Sequence, residues 1–183
     1  MAEFSYKDTL SGVKWDKREQ RGGCMPKANY SKSSTSRFRS RSEHMLDSKG
    51  RLNIPSRFRD VLQGHYQEHL MVTNWHKCLK AFPAKVWEQI ETTLLVQGKK
   101  QLGMDSFRRY VISGVADCPL DKQGRILLPP TLRGDFDLKK DVVLNGMLDH
   151  FEIWDKTAWE KERKQTRDKF SDFEQSLSAL GIL

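Results

Sequence analysis

Asp47-Ser48-Lys49-Gly50-Arg51-Leu52-Asn53-Ile54-Pro55 returns 74 residues later as Asp121-Lys122-Gln123-Gly124-Arg125-Ile126-Leu127-Leu128-Pro129. A further Arg stands four positions beyond the Pro in each copy, at Arg59 and Arg133. Asp, Gly, Arg, two aliphatics, Pro and Arg recur at fixed offsets, and such a self-repeat governs the reading of the whole fold. Each copy places a Gly where a tight hairpin needs positive φ, which Gly accepts without a Cβ clash. Leu52 and Ile54 alternate with Arg51 and Asn53, the period of a half-buried strand. Pro55 and Pro129 suit the first position of a helix, whose apolar face in the first copy is Phe58, Val61 and Leu62.

The repeat extends past the turn. Val72-Thr73-Asn74 aligns with Val143-Leu144-Asn145, and Leu79, Phe82 and Trp87 align with Phe151, Trp154 and Trp159 after a slip of one residue. Each unit reads as short strand, Gly turn, strand, Pro-started helix, two apolar strands and a helix opening near a Trp. Unit one spans about 38–97 and unit two about 114–165. With connecting helices, the domains are 38–113 and 114–183, after a basic extension at 1–37 that lacks a core-forming pattern. Two copies argue for a pseudo-two-fold module, since a solenoid usually needs about three repeats. The fold class is α+β with a mainly β core. Pro83 starts a helix with Val86, Trp87, Ile90 and Leu94 on one stripe, and Gly98-Lys99-Lys100 breaks it. A helix near 105–112 follows. Phe170, Phe173, Leu177 and Leu180 continue an apolar stripe for docking on the body or on a neighbouring subunit.

Composition narrows the function. The net charge is +8, and residues 1–44 contribute +5 of it, so the folded part is only mildly basic. That supports a polyanionic partner without proving one. The front run with Gly22-Gly23 and Ser31–Ser36 reads either as a tail touching phosphate or as an expression remnant or early start. No run of about 18 apolar residues is present to span a bilayer, and no apolar signal region opens the chain. A cytoplasmic protein is expected. Cys24, Cys78 and Cys118 follow no paired motif and read as free thiols, the last two as small core residues.

Within the turns, Asp47 and Asp121 can accept turn N–H bonds or pair with the Arg four residues on. They and Gly50 and Gly124 are the structural turn residues. Lys49, Arg51, Lys122 and Arg125 can project into a DNA groove, where Arg binds guanine O6 and N7 and Lys binds phosphate. The competing reading is a rigid hairpin with internal salt bridges. Arg37-Phe38-Arg39-Ser40-Arg41 is a basic strip that could lie along phosphates or form a solvated strand. Arg57, Arg59 and Arg133 are expected in intramolecular ion pairs. His65 and His69 have i, i+4 spacing near His76 and Cys78, but the zincin order and a completing ligand are missing, so no metal is expected. No nucleophile elbow, phosphate-binding loop or dinucleotide fingerprint occurs, so neither an enzyme nor a cofactor is expected. Trp87, Trp154 and Trp159 read as core or interface residues.

The sequence resembles the MraZ family, relatives of the AbrB and SpoVT regulators. The likeness begins at Phe38-Arg39 and runs to about Arg167. It is carried by His44-x-Leu46 with the first turn, by Gly114-x-Ala116 with Leu120 and the second turn, and by Phe151-Glu152-Ile153-Trp154-Asp155. The resemblance implies two swapped-hairpin-like halves forming one small barrel with peripheral helices. It implies a transcription factor that binds double-stranded DNA at short direct repeats upstream of the division and cell-wall gene cluster, its own gene included. Rings of roughly eight to twelve subunits and nucleoid association are also implied, with no small-molecule substrate. The family's DNA-contacting loop maps onto Arg51 and Arg125, with Lys49 and Lys122 beside them. Gln123 stands where the first turn has Lys49, so the turns are expected to contribute unequally. An antitoxin-like module or a scaffold oligomer that binds protein remains the alternative.

Overall fold

The computed structural model describes residues 37–66, 68–96 and 103–182. The basic front segment 1–36 and the expected helix break at Gly98-Lys99-Lys100 lie outside them. The first repeat is built as β1 (Arg41–Met45), β2 (Arg51–Asn53), α1 (Ser56–His65), β3 (His69–Asn74), β4 (Leu79–Pro83) and α2 (Ala84–Val96). A short α3 (Met104–Phe107) runs into a π-helical turn over Arg108–Ile112. The second repeat returns as β5 (Ala116–Pro119), β6 (Arg125–Leu127), α4 (Pro130–Asp135), β7 (Asp141–Gly146), β8 (Phe151–Asp155) and α5 (Lys156–Asp168). A 3₁₀ turn over Phe170–Phe173 and α6 (Glu174–Ala179) follow.

Six strands form one antiparallel sheet in the order β1-β7-β8-β4-β3-β5, while β2 and β6 pair separately. The order reads the same under exchange of the two repeats. The first strand of each repeat leaves its own unit: β1 pairs with β7, and β5 pairs with β3. β4 and β8 meet at the centre, with Lys80 opposite Glu152. The six-stranded ladder ends at β1 and β5, and among the described residues its hydrogen bonds form no closed ring. Each end strand nevertheless hands on through its Gly turn to β2 or β6.

Alternation along the strands divides the apolar residues between two faces. Leu70, Val72, Leu79, Ala81, Val142, Leu144, Phe151 and Ile153 enter the main core with Leu52, Ile54, Ile126 and Leu128. Phe58 of α1 packs there against Phe38 and Phe151, at ring-centroid distances of 5.4 and 5.1 Å. These are ordinary edge-to-face and tilted aromatic contacts. Phe38 of the basic strip is therefore a core residue, while Arg41 lies 5.8 Å over the Trp159 ring. Two smaller clusters lie apart from this core: Phe82, Trp87 and Val111 in one, Cys78, Val143 and Trp154 in the other. Thr73 Oγ1 donates to the Val111 carbonyl at 2.5 Å, tying the π turn to β3.

The helix starts differ from expectation by one residue. Pro55 and Pro83 sit just before α1 and α2, because each still has extended backbone or strand pairing. In the second repeat Pro129 precedes the helix and Pro130 takes the first helical position. α5 does begin at Lys156, where Asp155 Oδ1 caps it by accepting from the Thr157 and Ala158 amides at 2.9 and 3.2 Å. The apolar stripe beyond α5 is not docked on the body: Phe170, Phe173 and Leu180 are exposed.

Candidate nucleic-acid interface

Each turn closes around its Asp. In the first, the Gly50 amide donates to the Asp47 carbonyl at 2.9 Å, and Gly50 has φ +81°. Asp47 Oδ1 accepts from the Lys49 and Arg51 amides, both at 2.9 Å, and Oδ2 accepts from Arg51 Nε at 2.6 Å. The second turn repeats this. Gly124 has φ +73° and donates to the Asp121 carbonyl at 2.8 Å. Asp121 Oδ1 accepts from the Gln123 and Arg125 amides at 2.9 Å, and Oδ2 accepts from Arg125 Nε at 2.8 Å. A carboxylate accepting three N–H bonds is stabilised in its charged form. The Asp47 carboxyl is accordingly lowered to about 2, first by the Arg51 amide and also by the Arg51 side chain. Asp121 is lowered as well, first by the Arg125 side chain and then by its amide.

The Arg residues do not reach straight outward; they fold back on their Asp partners. What they leave free differs. Arg51 spends only Nε on Asp47, so both terminal nitrogens are unpartnered among the described residues. Arg125 also commits Nη2, to Asp121 at 2.7 Å and to Gln123 Oε1 at 3.1 Å. Lys49 and Lys122 are exposed and have no ion-pair partner among the described residues.

The β2–β6 ribbon brings both turns to one surface. Leu52 opposes Ile126 at its centre, and both are fully buried. Alternation sends Arg51, Asn53, Arg125 and Leu127 to the other side, with Arg51 opposite Leu127 and Asn53 opposite Arg125. Asn53 and Leu127 are exposed there. They share the face of Arg51 and Arg125, and the sequence reading did not single them out. The period-2 pattern placed Asn53 beside Arg51, but the cross-repeat pairing that puts it against Arg125 is a long-range contact.

The ion pairs expected for Arg57, Arg59 and Arg133 are not found among the described residues. Arg57 Nη2 donates to the Arg41 carbonyl at 3.0 Å, and Arg133 Nε donates to the Leu128 carbonyl at 3.1 Å. Arg59 Nε is buried with no hydrogen-bond partner among the described residues. Arg57 and Arg133 thus use backbone carbonyls of β1 and of the residue after β6 in place of carboxylates. His69 Nδ1 lies 3.3 Å from Asp117 Oδ1. Among the described residues no group of His, Cys, Asp and Glu is placed to hold a metal. Cys78 and Cys118 are buried, and burial pushes both thiols up, Cys118 to about 12. No helix among the described residues is long and apolar enough to cross a membrane.

Comparison with known proteins agrees with this architecture. The family model described as "MraZ protein, putative antitoxin-like" matches residues 38–101 and 111–179, one segment for each repeat. A protein of Syntrophobacter fumaroxidans named "Transcriptional regulator MraZ" is 42% identical, over 79% of this chain and 97% of its own length. Relatives of the same name from Desulfosudis oleivorans and Pediococcus pentosaceus are 39% and 36% identical, over 79% and 76% of this chain and 99% and 96% of theirs. Two matched segments, each carrying one Asp-x-x-x-Arg turn, and relatives covered almost end to end place the chain in the MraZ family.

Proposed function

We propose that this protein is a sequence-specific DNA-binding transcriptional regulator that reads double-stranded DNA with its two Gly turns. The observation that carries the reading is the β2–β6 pairing. It sets Arg51 and Arg125 on one outward surface with Lys49 and Lys122 exposed beside them. The name of the relatives, transcriptional regulator, points the same way. In this reading the Arg residues contact base edges, the Lys residues contact phosphates, and the Asp and Gly residues hold the turn. The repeats 38–113 and 114–183 are its two domains, and the sheet and ribbon together act as one small barrel joined through the turns. The protein works in the cytoplasm, at the nucleoid, without cofactor or catalytic step.

The proposed targets are short direct repeats upstream of the division and cell-wall gene cluster, including the protein's own promoter. One pair of turns reads few base pairs, and each good bidentate contact supplies only about 1–3 kcal/mol of discrimination. A ring of roughly eight to twelve subunits would place several pairs on successive repeats and multiply that selectivity through effective concentration. The test is fluorescence anisotropy with DNA from upstream of the protein's own gene against scrambled DNA, at two salt concentrations. Preference for native DNA, weakening steeply with salt through counterion release, is expected. Absence of preference in the assembled oligomer would overturn the reading and favour an antitoxin-like or scaffold role. A half-turn insertion between repeats that left affinity unchanged would remove the ring from the mechanism.

A further inference from the structure

Each reading turn is touched from the opposite repeat. A Cβ built on Gly50 would lie 2.7 Å from Cζ and from Nε of Arg133, and 3.0 Å from its Nη2. A Cβ built on Gly124 would meet Nη1 of Arg59, with Cδ at 2.5 Å and Cζ at 2.9 Å. Arg59 belongs to α1 of the first repeat and packs on the second turn. Arg133 belongs to α4 of the second repeat and packs on the first. The backbone crosses in the same sense: the Leu128 amide donates to the Gly50 carbonyl, and the Ile54 amide donates to the Gly124 carbonyl, both at 3.0 Å. Glycine thus serves twice at each turn: it takes the positive φ, and it lets a guanidinium from the other repeat lie directly against the turn.

We infer that Arg59 and Arg133 are positioning residues that latch the DNA-reading turn of the opposite repeat, so that each turn keeps its shape only while the other repeat is in place. The inference rests on the turns being the DNA-reading elements. The two latches are unequal. Arg133 Nε is anchored on the Leu128 carbonyl, which fixes its guanidinium over Gly50. Arg59 Nε has no such anchor. The first turn is the more firmly held. A guanidinium is suited to this role because its flat group fits against a glycine while its stem packs on the helix; the rounder ammonium of Lys does not reproduce that fit.

Hydrogen exchange on the full-length assembled protein tests the latch without DNA. Arg133→Ala is expected to speed exchange of the Lys49, Gly50 and Arg51 amides at least tenfold and to leave those of Gln123, Gly124 and Arg125 unchanged. Arg59→Ala is expected to do the reverse, by a smaller factor. Acceleration confined to the turn of the same repeat, or at neither turn, would overturn the inference. Anisotropy adds a second arm. Arg133→Ala combined with Arg51→Ala should lose less than the product of the two single losses, whereas Arg133→Ala combined with Arg125→Ala should multiply them. Arg133→Lys keeps the charge but does not reproduce the guanidinium's fit against Gly50. It should lose affinity as Arg133→Ala does, with the salt slope of the wild type retained by both. Full affinity in the Lys variant, or a shallower salt slope in the Ala variant, would mean a phosphate contact instead. If the wild type shows no DNA preference, the functional reading falls, and the exchange data alone decide the latch.

Discussion

The two turns share a backbone and differ in what their arginines have left to offer. Asp47 and Asp121 bind the same three N–H groups of their own turns, at distances that differ by no more than 0.2 Å. Among the described residues neither terminal nitrogen of Arg51 has a hydrogen-bond partner, while Arg125 has given Nη2 to Asp121 and Gln123. A bidentate contact with guanine needs two converging N–H donors. The first turn presents such a pair as it stands, and the second must first release a hydrogen bond. Duplicated sequence has therefore preserved the scaffold of the turn while one neighbouring residue, Gln123 in place of Lys49, sets how available the reading group is.

The largest expected effect breaks this comparison at its centre. Arg51→Ala should weaken binding to native DNA by about 1–3 kcal/mol, roughly ten- to a hundredfold. Arg125→Ala should cost less, as measured by anisotropy at fixed salt. Equal losses would mean that the Gln123 contact gives way freely on binding. If instead the Gln123 contact restrains Arg125, Gln123→Ala should raise affinity severalfold, since one neutral hydrogen bond is worth about 0.5–1.5 kcal/mol net. It should also bring the two Arg effects closer together. Lys49→Ala and Lys122→Ala should weaken native and scrambled DNA alike and reduce the salt slope by about one each.

The smallest effect is expected with acid. The Asp47 carboxyl is depressed in the folded protein from 3.8 to about 2, so its contribution to stability is fully present above its ordinary range. That contribution is lost as pH falls from about 3.8 toward 2, when the unfolded chain takes up the proton more readily. Thermal unfolding across this window should show a loss that Asp47→Asn flattens. Asp121→Asn should flatten it in the same direction, because Asp121 is also depressed. A stability profile unchanged by either substitution would show that the turn amides, and not the carboxylate charge, maintain the hairpin.

Much of this was legible in the chain because it depends on local pattern. Positive φ at Gly50 and Gly124, alternation in β2 and β6, and the Phe58, Val61, Leu62 face of α1 follow from neighbours in sequence. The exchange of β1 and β5 between repeats entered only through the family resemblance, since an apolar strand matches several partners equally well. Arg59 and Arg133 illustrate the same limit within the site. Helical spacing marks them as leaving the Phe58 face, but what they meet is a glycine contributed by the other repeat. The pairing of β2 with β6 was likewise not legible, because it joins strands 74 residues apart and is held by the core that Leu52 and Ile126 share with the sheet.

The strand exchange also determines how the protein responds to dilution. If the two repeats were separate chains, β1–β7, β5–β3 and β2–β6 would all be intermolecular, and the pair of turns would come apart as concentration fell. Carried on one chain, the halves meet at an effective concentration set by the connecting segment and not by expression level. Even a lone subunit at vanishing abundance keeps two turns at a fixed separation. The unit that the proposed regulator brings to DNA is then the whole subunit, never a half-site.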